Sequence, residues 1–319
     1  MTFAFASLLA STGGCLPNSF LIVPMRTHRG LVETTLVRGA FLAPKIALID
    51  VDGILVNAES PSLLSDGEHP VSLLLEKLDH ARADSNVKAV ILRINSPGGT
   101  VGASELMYNE IVHFRKTTGK PVIAMMMDVA ASGGYYIASA CDEILSLEST
   151  VTGSIGVIMQ LFDVTGTMSK LGVKSNAIKS GDHKASGSPF ETLSAADRAI
   201  FQGIIDDMYG RFVGVVAEGR PKLDEARVRE LADGRVYTAH QALELGLIDR
   251  IATMRETIDI VKERIGDTHA RVISYQRPHG YAANYYANAG RSTGNVSMIH
   301  IDTPSWLRSG ARFMYLWSP

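Results

Sequence analysis

Three apolar runs constrain this chain more than any other feature. KIALIDVDGIL (45–55), VKAVILRINSPGG (87–99) and PVIAMMMDV (121–129) are each about a strand long and lack the polar alternation of a half-wetted sheet. A strand that is apolar on both sides must be covered on both sides, which is how parallel sheets sit in α/β proteins. The intervening segments agree. PVSLLLEKLDHARAD (70–84) repeats at helical spacing behind a proline, and a second helix is expected from about Ala103 to Lys116. Strand–helix–strand alternation of this kind predicts right-handed crossovers. Further on, EILSL (143–147) reads as a short strand, and 164–201 as a helix-and-strand pair followed by a Gly/Ser-rich loop. Ser194 is placed to cap a long helix running to about Gly219. KLDEARVRELADG and TAHQALELGLIDRI read as two shorter helices closing on a strand. The tail after about Gly280 is polar, then ends in WLRSGARFMYLWSP. It is expected to be a mobile extension, the alternative being an arm that docks on a neighbouring subunit or a membrane surface.

Composition removes several function classes. With 31 basic and 33 acidic residues the net charge is −2, and there is no long basic run, so no nucleic-acid partner is expected. Two cysteines, Cys15 and Cys141, make no disulfide framework, and no Cys/His cluster has zinc spacing. Neither a metal nor a cofactor is expected. No apolar stretch reaches the roughly 20 residues that a membrane-spanning helix requires. The leader MTFAFASLLASTGGC has a short apolar core and small residues before Cys15, the layout in which a lipoprotein signal ends. It lacks a positive n-region, and threonine stands where a lipobox prefers leucine. Two readings stand: a plain leader segment, or an N-terminus processed and lipid-anchored at Cys15.

Chemistry enters at DVAASGGYYIASACDEI (128–144), where Ser132 has two alanines before it and two glycines after it. One reading is a tight strand-to-helix turn; the other is a nucleophile with its surroundings cleared. A serine nucleophile needs a group to take its proton. The chain has nine histidines but no GxSxG context, and neither His183 nor His240 has an acidic orienter at a motif spacing. Lysine can serve when burial disfavours its charged form. KSGDHKASGSPF (179–190) offers Lys179 and Lys184 among small residues, as bases or as two solvated lysines on a loop. An oxyanion also needs amide donors. NSPGG (95–99) exposes amides without side-chain cover, and Gly133 can add one from the start of the next helix.

RINSPGG, AASGGYYIASACDEI, TGSIGV, SGDHKASGSPF and GRVYTAHQALELGLID occur in that order, and together they resemble the signal peptide peptidase SppA family, the S49 serine peptidases, in its short single-domain form. The resemblance covers roughly residues 45–265. It implies an α/β fold of the ClpP/crotonase type, with parallel sheets flanked by helices. It divides the chain into a leader (1–44), a peptidase domain (45–265) and a C-terminal extension (266–319). It also implies a Ser/Lys dyad: Ser132 as nucleophile, Lys184 as general base and Ser154 as the serine that orients the lysine. Gly99 and Gly133 fall at the oxyanion-hole amides, and Lys179 and His183 lose priority. ClpP-like relatives use a histidine some distance after the serine; here that region, LESTVTGSIGVIMQ, contains none. Ala185 follows Lys184 where many relatives carry an acidic residue.

The function implied is an ATP-independent endopeptidase for short, apolar, extended peptides and unfolded apolar segments, including signal-peptide remnants. A substrate is expected to add as a strand beside the NSPGG edge. Family members form rings or domes, so a homo-oligomer is expected, with the dyad shared between protomers. Localisation in the cell envelope follows, membrane-associated or extracytoplasmic. Two rivals share the fold. A crotonase-like acyl-CoA enzyme would turn over thioesters and leave Ser132, Ser154 and Lys184 without a task. A non-catalytic scaffold would resist labelling of Ser132 by a serine-reactive phosphonate.

Overall fold

The computed structural model describes residues 30–40, 42–58, 69–277 and 313–317. Its centre is the sheet that the apolar runs require. Strand β2 (Lys45–Asp52) lies parallel to β3 (Val87–Ser96), β3 to β5 (Val122–Ala131), and β5 to β6 (Glu143–Ser146). Between them run α1 (Pro70–Ala83), α2 (Val101–Thr118) and α3 (Gly133–Ala138). Side chains alternate between the two faces of the sheet, and both faces are dry. Ala47, Ile49, Val90, Leu92, Ala124 and Met126 point to one core with Leu78 of α1, Ile111 of α2 and Tyr136 of α3. Ile46, Leu48, Ala89, Ile91, Ile123 and Met125 point to the other. The second face is closed by α8 (Met254–Arg264), which buries Met254, Ile258 and Val261 and starts with a capping box from Thr253 and Glu256. One charge pair lies inside this frame: Arg93 Nε donates to Asp50 Oδ1 at 2.5 Å, between residues directly opposite each other on β3 and β2.

The sheet runs past both sequence boundaries. β1 (Val32–Val37), within the segment assigned to the leader, pairs antiparallel with β11 (Arg271–Gln276), within the C-terminal extension. β11 in turn lies parallel to β2, so the sheet order is β1-β11-β2-β3-β5-β6 and then β10 (Arg250–Ile251). β7 (Val151–Gly153) pairs parallel with the end of β5 and antiparallel with β9 (Val236–Thr238). The leader through residue 29, with Cys15, lies outside the described residues. Cys141 is a free, buried thiol whose pKa burial pushes up.

Helix α4 (Thr165–Lys170) forms as expected, but the strand predicted beside it does not. Val173 and Ile178 stand exposed in irregular backbone that pairs with no strand among the described residues. Helix α5 (Ala195–Gly219) is capped by Ser194, whose hydroxyl accepts from the Asp197 amide at 3.0 Å. Only its C-terminal end is buried, through Phe212, Val213, Val215 and Val216. Helices α6 (Glu225–Leu231) and α7 (Ala239–Glu244) follow. A second, three-stranded sheet joins β4 (Gly98–Thr100), β12 (Phe313–Leu316) and β8 (Ile158–Met159). Part of the tail expected to be mobile is therefore a strand. Tyr315 explains the docking: its ring is fully buried, stacked on Tyr136 at 5.1 Å and lying 4.7 Å from Phe212. The rest of the tail lies outside the described residues.

Phe212 packs against both tyrosines from the buried end of α5. Replacing it with alanine is expected to cost about 3–5 kcal/mol of stability, since the rings around it cannot collapse into the space. Chemical denaturation of Phe212→Ala beside the parent protein measures this.

Candidate active site

The C-terminal ends of β5 and β7 bring two serines together. Ala131 stands opposite Gly153 in that parallel pair, and the Ser132 amide donates to the Gly153 carbonyl at 2.7 Å. The next residue on each strand, Ser132 and Ser154, therefore leaves the sheet beside the other. Both have positive φ, 53° and 49°, and they are the only non-glycine residues to do so among those described. A serine in such a conformation costs of order 1–3 kcal/mol and persists where its surroundings over-determine it. Here the Ser132 carbonyl accepts from the Tyr136 amide at 2.8 Å, opening α3, and the Ser154 amide donates to the Arg235 carbonyl at 2.7 Å. Ser132 is 1% exposed and Ser154 7%. Both line a cavity of about 820 Å³, with Ile158, Leu161 and Phe162 on one wall and Ile205 and Tyr209 of α5 on another. Besides the two serines, Gln160, Gln202, Asp206 and Asp233 supply its polar lining.

The small residues around Ser132 are imposed by backbone packing. A Cβ on Gly133 would stand 2.4 Å from Ser104 Oγ, 3.1 Å from the Gly98 Cα and 3.2 Å from the Gly99 amide nitrogen. A Cβ on Gly134 would lie 2.6 Å from the Ser96 carbonyl oxygen, and one on Gly99 1.9 Å from that of Leu55. The start of α3 and Gly98–Gly99 at the start of β4 thus touch backbone to backbone. Their glycine amides come together at the mouth of a helix that begins directly after the serine.

The edge of β4 expected to receive a peptide is already filled by β12. Tyr315 stands opposite Gly99 and Leu316 opposite Gly98, while Met314 bridges Thr100 and Ile158. The Trp317 amide donates to the Pro97 carbonyl at 2.8 Å. On the other side of β4, Leu55 exchanges hydrogen bonds with Gly98 and Thr100. The Tyr315 carbonyl oxygen lies 2.0 Å from the position a Cβ on Gly98 would take, and the Gly133 nitrogen lies 2.6 Å from that same position. Met314, Leu316 and Trp317 all line the cavity with Ser132. Sequence reasoning missed these residues; the unbroken apolar run Phe313–Leu316 was the available signal for a strand, though not for where it docks. The Tyr315 hydroxyl donates to the Met208 carbonyl at 3.0 Å, and burial pushes its pKa up.

The proposed bases are placed differently. Lys184 is exposed on a single 3-10 turn, Asp182–Ala185, and does not line the Ser132 cavity, although Gly187 and Pro189 of the same loop do. Lys179 is paired with Glu191. His183 and His240 do have acidic partners, Asp197 at 2.6 Å and Glu148 at 3.4 Å, but neither histidine lines the cavity. The structure brings Ser132, Ser154, Gly99 and Gly133 to one place and leaves Lys184 apart from them within a single chain. Among the described residues no group of acidic, histidine and cysteine side chains is arranged to hold a metal ion.

Comparison with known proteins shows the family. The model of Peptidase family S49 matches residues 114–266, a span holding Ser132, Ser154 and Lys184. A protein assigned as signal peptide peptidase SppA from Enterococcus faecium is 36% identical over 259 residues, 81% of this chain and 74% of that protein. Protease 4 of Haemophilus influenzae is 36% identical over 221 residues, 69% of this chain but 35% of its own length. The chloroplastic serine protease SPPA of Arabidopsis thaliana is 34% identical over 221 residues, 32% of its own length. The chain therefore spans most of the first relative and about a third of each of the other two. With that identity sustained over four-fifths of its length, the chain belongs to the S49 peptidases, the SppA family.

Proposed function

We propose that this peptidase is an ATP-independent serine endopeptidase acting through Ser132 and Lys184 on short, apolar, extended peptides, signal-peptide remnants among them. The observation that carries this reading is the protein's own strand in the cavity. β12 is an extended apolar segment, antiparallel to Gly98–Thr100, whose Tyr315 carbonyl packs against Gly98 on the side where Gly133 also approaches it. A peptide in the same pose would present its carbonyl to Ser132 while its alternate side chains entered apolar pockets.

In the proposed reaction Lys184, uncharged, takes the Ser132 proton as the hydroxyl oxygen bonds to the peptide carbonyl carbon. The amides of Gly99 and Gly133 hold the oxyanion. The C–N bond then breaks, Lys184 returns its proton to the leaving amine, and an acyl-Ser132 ester remains. Water deprotonated by Lys184 hydrolyses that ester. Ser154 orients the lysine.

A lysine uncharged at neutral pH has to be enclosed, and Lys184 is exposed within one chain. The reading therefore includes assembly, with Lys184 entering the Ser132 cavity of a neighbouring copy. Leu171, Val173, Ile178 and Phe190, on the segment around Lys184, and Ile200 and Ile204 on the outer part of α5 are exposed apolar residues that such an assembly would cover. A cell-envelope, membrane-associated location belongs to the same proposal. Among the described residues no helix is long and apolar enough to cross a membrane, and the lipid-anchor reading of Cys15 lies outside them.

Ser132→Ala and Lys184→Ala are each expected to lose peptidase activity on an unfolded apolar substrate by at least about 1,000-fold. Mixing the two inactive variants during assembly should restore part of it, because some sites then receive the intact serine of one copy and the intact lysine of the other. Full activity in either single variant disproves the dyad; two dead variants that never complement place both residues in one chain. Removing residues 313–319 should open the β4 edge. KM for an apolar peptide is expected to fall about 3- to 10-fold with kcat little changed, with the thermal midpoint read alongside. A rise in KM in a folded protein would instead make β12 part of the substrate platform.

A further inference from the structure

Lys184 rides on the Asp182–Ala185 turn, an element of four residues with no buried side chain of its own. Something else must hold that turn if the lysine is to reach a fixed point. Three donors converge on one carboxylate. His183 Nδ1 lies 2.6 Å from Asp197 Oδ1, Ser186 donates its hydroxyl to the same oxygen, and Ser194 Oγ donates to Asp197 Oδ2 at 2.7 Å. His183 directly precedes Lys184, and Ser186 follows it by two residues. Asp197 itself is on the first turn of α5, where its amide donates to Ser194 Oγ at 3.0 Å. Its carboxylate is therefore fixed to a 25-residue helix on one side and grips the lysine turn from the other. The Asp197 side chain is 13% exposed, and the hydrogen bonds from Ser186, Ser194 and His183 hold its carboxyl well below the usual carboxylate range.

The far end of the same loop is held independently. The Val164 amide donates to the Pro189 carbonyl at 2.9 Å, and Gly187, at φ 78°, leaves only 3.3 Å between a would-be Cβ and the Phe201 ring. Gly187 and Pro189 line the Ser132 cavity. The loop is thus anchored at the cavity wall by one end and at α5 by Asp197, with Lys184 between the anchors.

We infer that Asp197 is a positioning residue for the reaction: it clamps His183 and Ser186 so that the turn presents Lys184 in one orientation. The inference rests on Lys184 being the general base. Its physical basis is preorganisation, since a long side chain on an unheld turn must lose the freedom of both turn and side chain at the moment of reaction.

The test measures kcat and KM on an apolar peptide for Asp197→Ala, Asp197→Asn and the double variant His183→Ala/Ser186→Ala, with Lys184→Ala as reference. Asp197→Ala is expected to lower kcat about 10- to 100-fold with KM within about twofold, the signature of a misplaced reacting group. Asp197→Asn keeps one oxygen, which can still accept from Ser186 and His183 on the lysine turn while its NH2 faces Ser194, and should recover most of that loss. The double variant leaves Ser194 and the cap of α5 untouched, and is expected to reproduce the kcat loss with an unchanged thermal midpoint. That variant decides the matter even where Asp197→Ala fails to fold. Wild-type kcat in the double variant, with Lys184→Ala inactive, overturns the clamp and leaves the dyad standing. Full activity in Lys184→Ala overturns the dyad and the clamp with it.

Discussion

The structure depends on one contact in which side chains are excluded: the start of α3 pressed against Gly98–Gly99 of β4. A Cβ on Gly98 would lie 2.6 Å from the Gly133 nitrogen and one on Gly133 3.1 Å from the Gly98 Cα, while Gly99 and Gly134 are held as tightly against the Leu55 and Ser96 carbonyl oxygens. Glycine is required there by approach distance, and at Gly98 by a φ of 101° as well. Because the two backbones touch, the Gly99 and Gly133 amide nitrogens come close together, while the Gly98 amide donates to Ser96 Oγ at 3.1 Å. The contact also fixes the direction in which α3 leaves β5. Ser132 must make that turn at positive φ, with its amide already committed to Gly153. Strain at the serine and convergence of the amides are two results of a single packing requirement.

That contact changes how AASGGYY is understood. Lack of bulk beside Ser132 does not arise mainly to admit a substrate; the glycines are consumed in packing, and the open volume lies elsewhere. It lies between Ser154, the 156–162 segment, α5 and β12. Ser154 shares this position because parallel pairing of β5 and β7 runs up to Gly153 and stops. Two strand ends in register, each followed by a serine at positive φ, form the floor of the site without either side chain bonding to the other.

The parts legible in the sequence are those decided locally. The doubly buried strands β2, β3 and β5 show as unbroken apolar runs, and the N-cap at Ser194 shows as a serine ahead of a helical pattern. Pairing between distant segments was not legible. β1 and β11 are edge-side strands that meet across more than two hundred residues, and VETTLV has too few apolar residues to declare a buried position. β12 depends on Tyr315 finding Tyr136 and Phe212, a contact that no local pattern encodes. At the candidate site, Ser132, Ser154 and the glycines were named from their motifs, and the fold explains why they meet. Lys184 was named from its motif too, yet its own chain leaves it exposed, because the loop that carries it is fastened by His183 and Ser186 rather than by the lysine.

If Lys184 serves Ser132 as proposed, the site has two halves with different mechanical origins. The floor is made of strand ends and glycine contacts inside the main core, so it is as rigid as the sheet. The lysine turn lies outside that core, held by hydrogen bonds to a helix whose outer part is largely exposed. On the proposed reading, assembly has to accomplish two things at once: enclose the ammonium so that it can give up its proton, and bring a turn of defined shape to a floor of defined shape. Enclosure can come from the apolar residues around the loop, but shape cannot, because a hydrophobic contact is indifferent to direction. Directional bonds must supply it, and Asp197 is where the directional bonds of that turn converge. A peptidase divided in this way would be inactive as separate chains without any inhibitor, since neither half is complete alone.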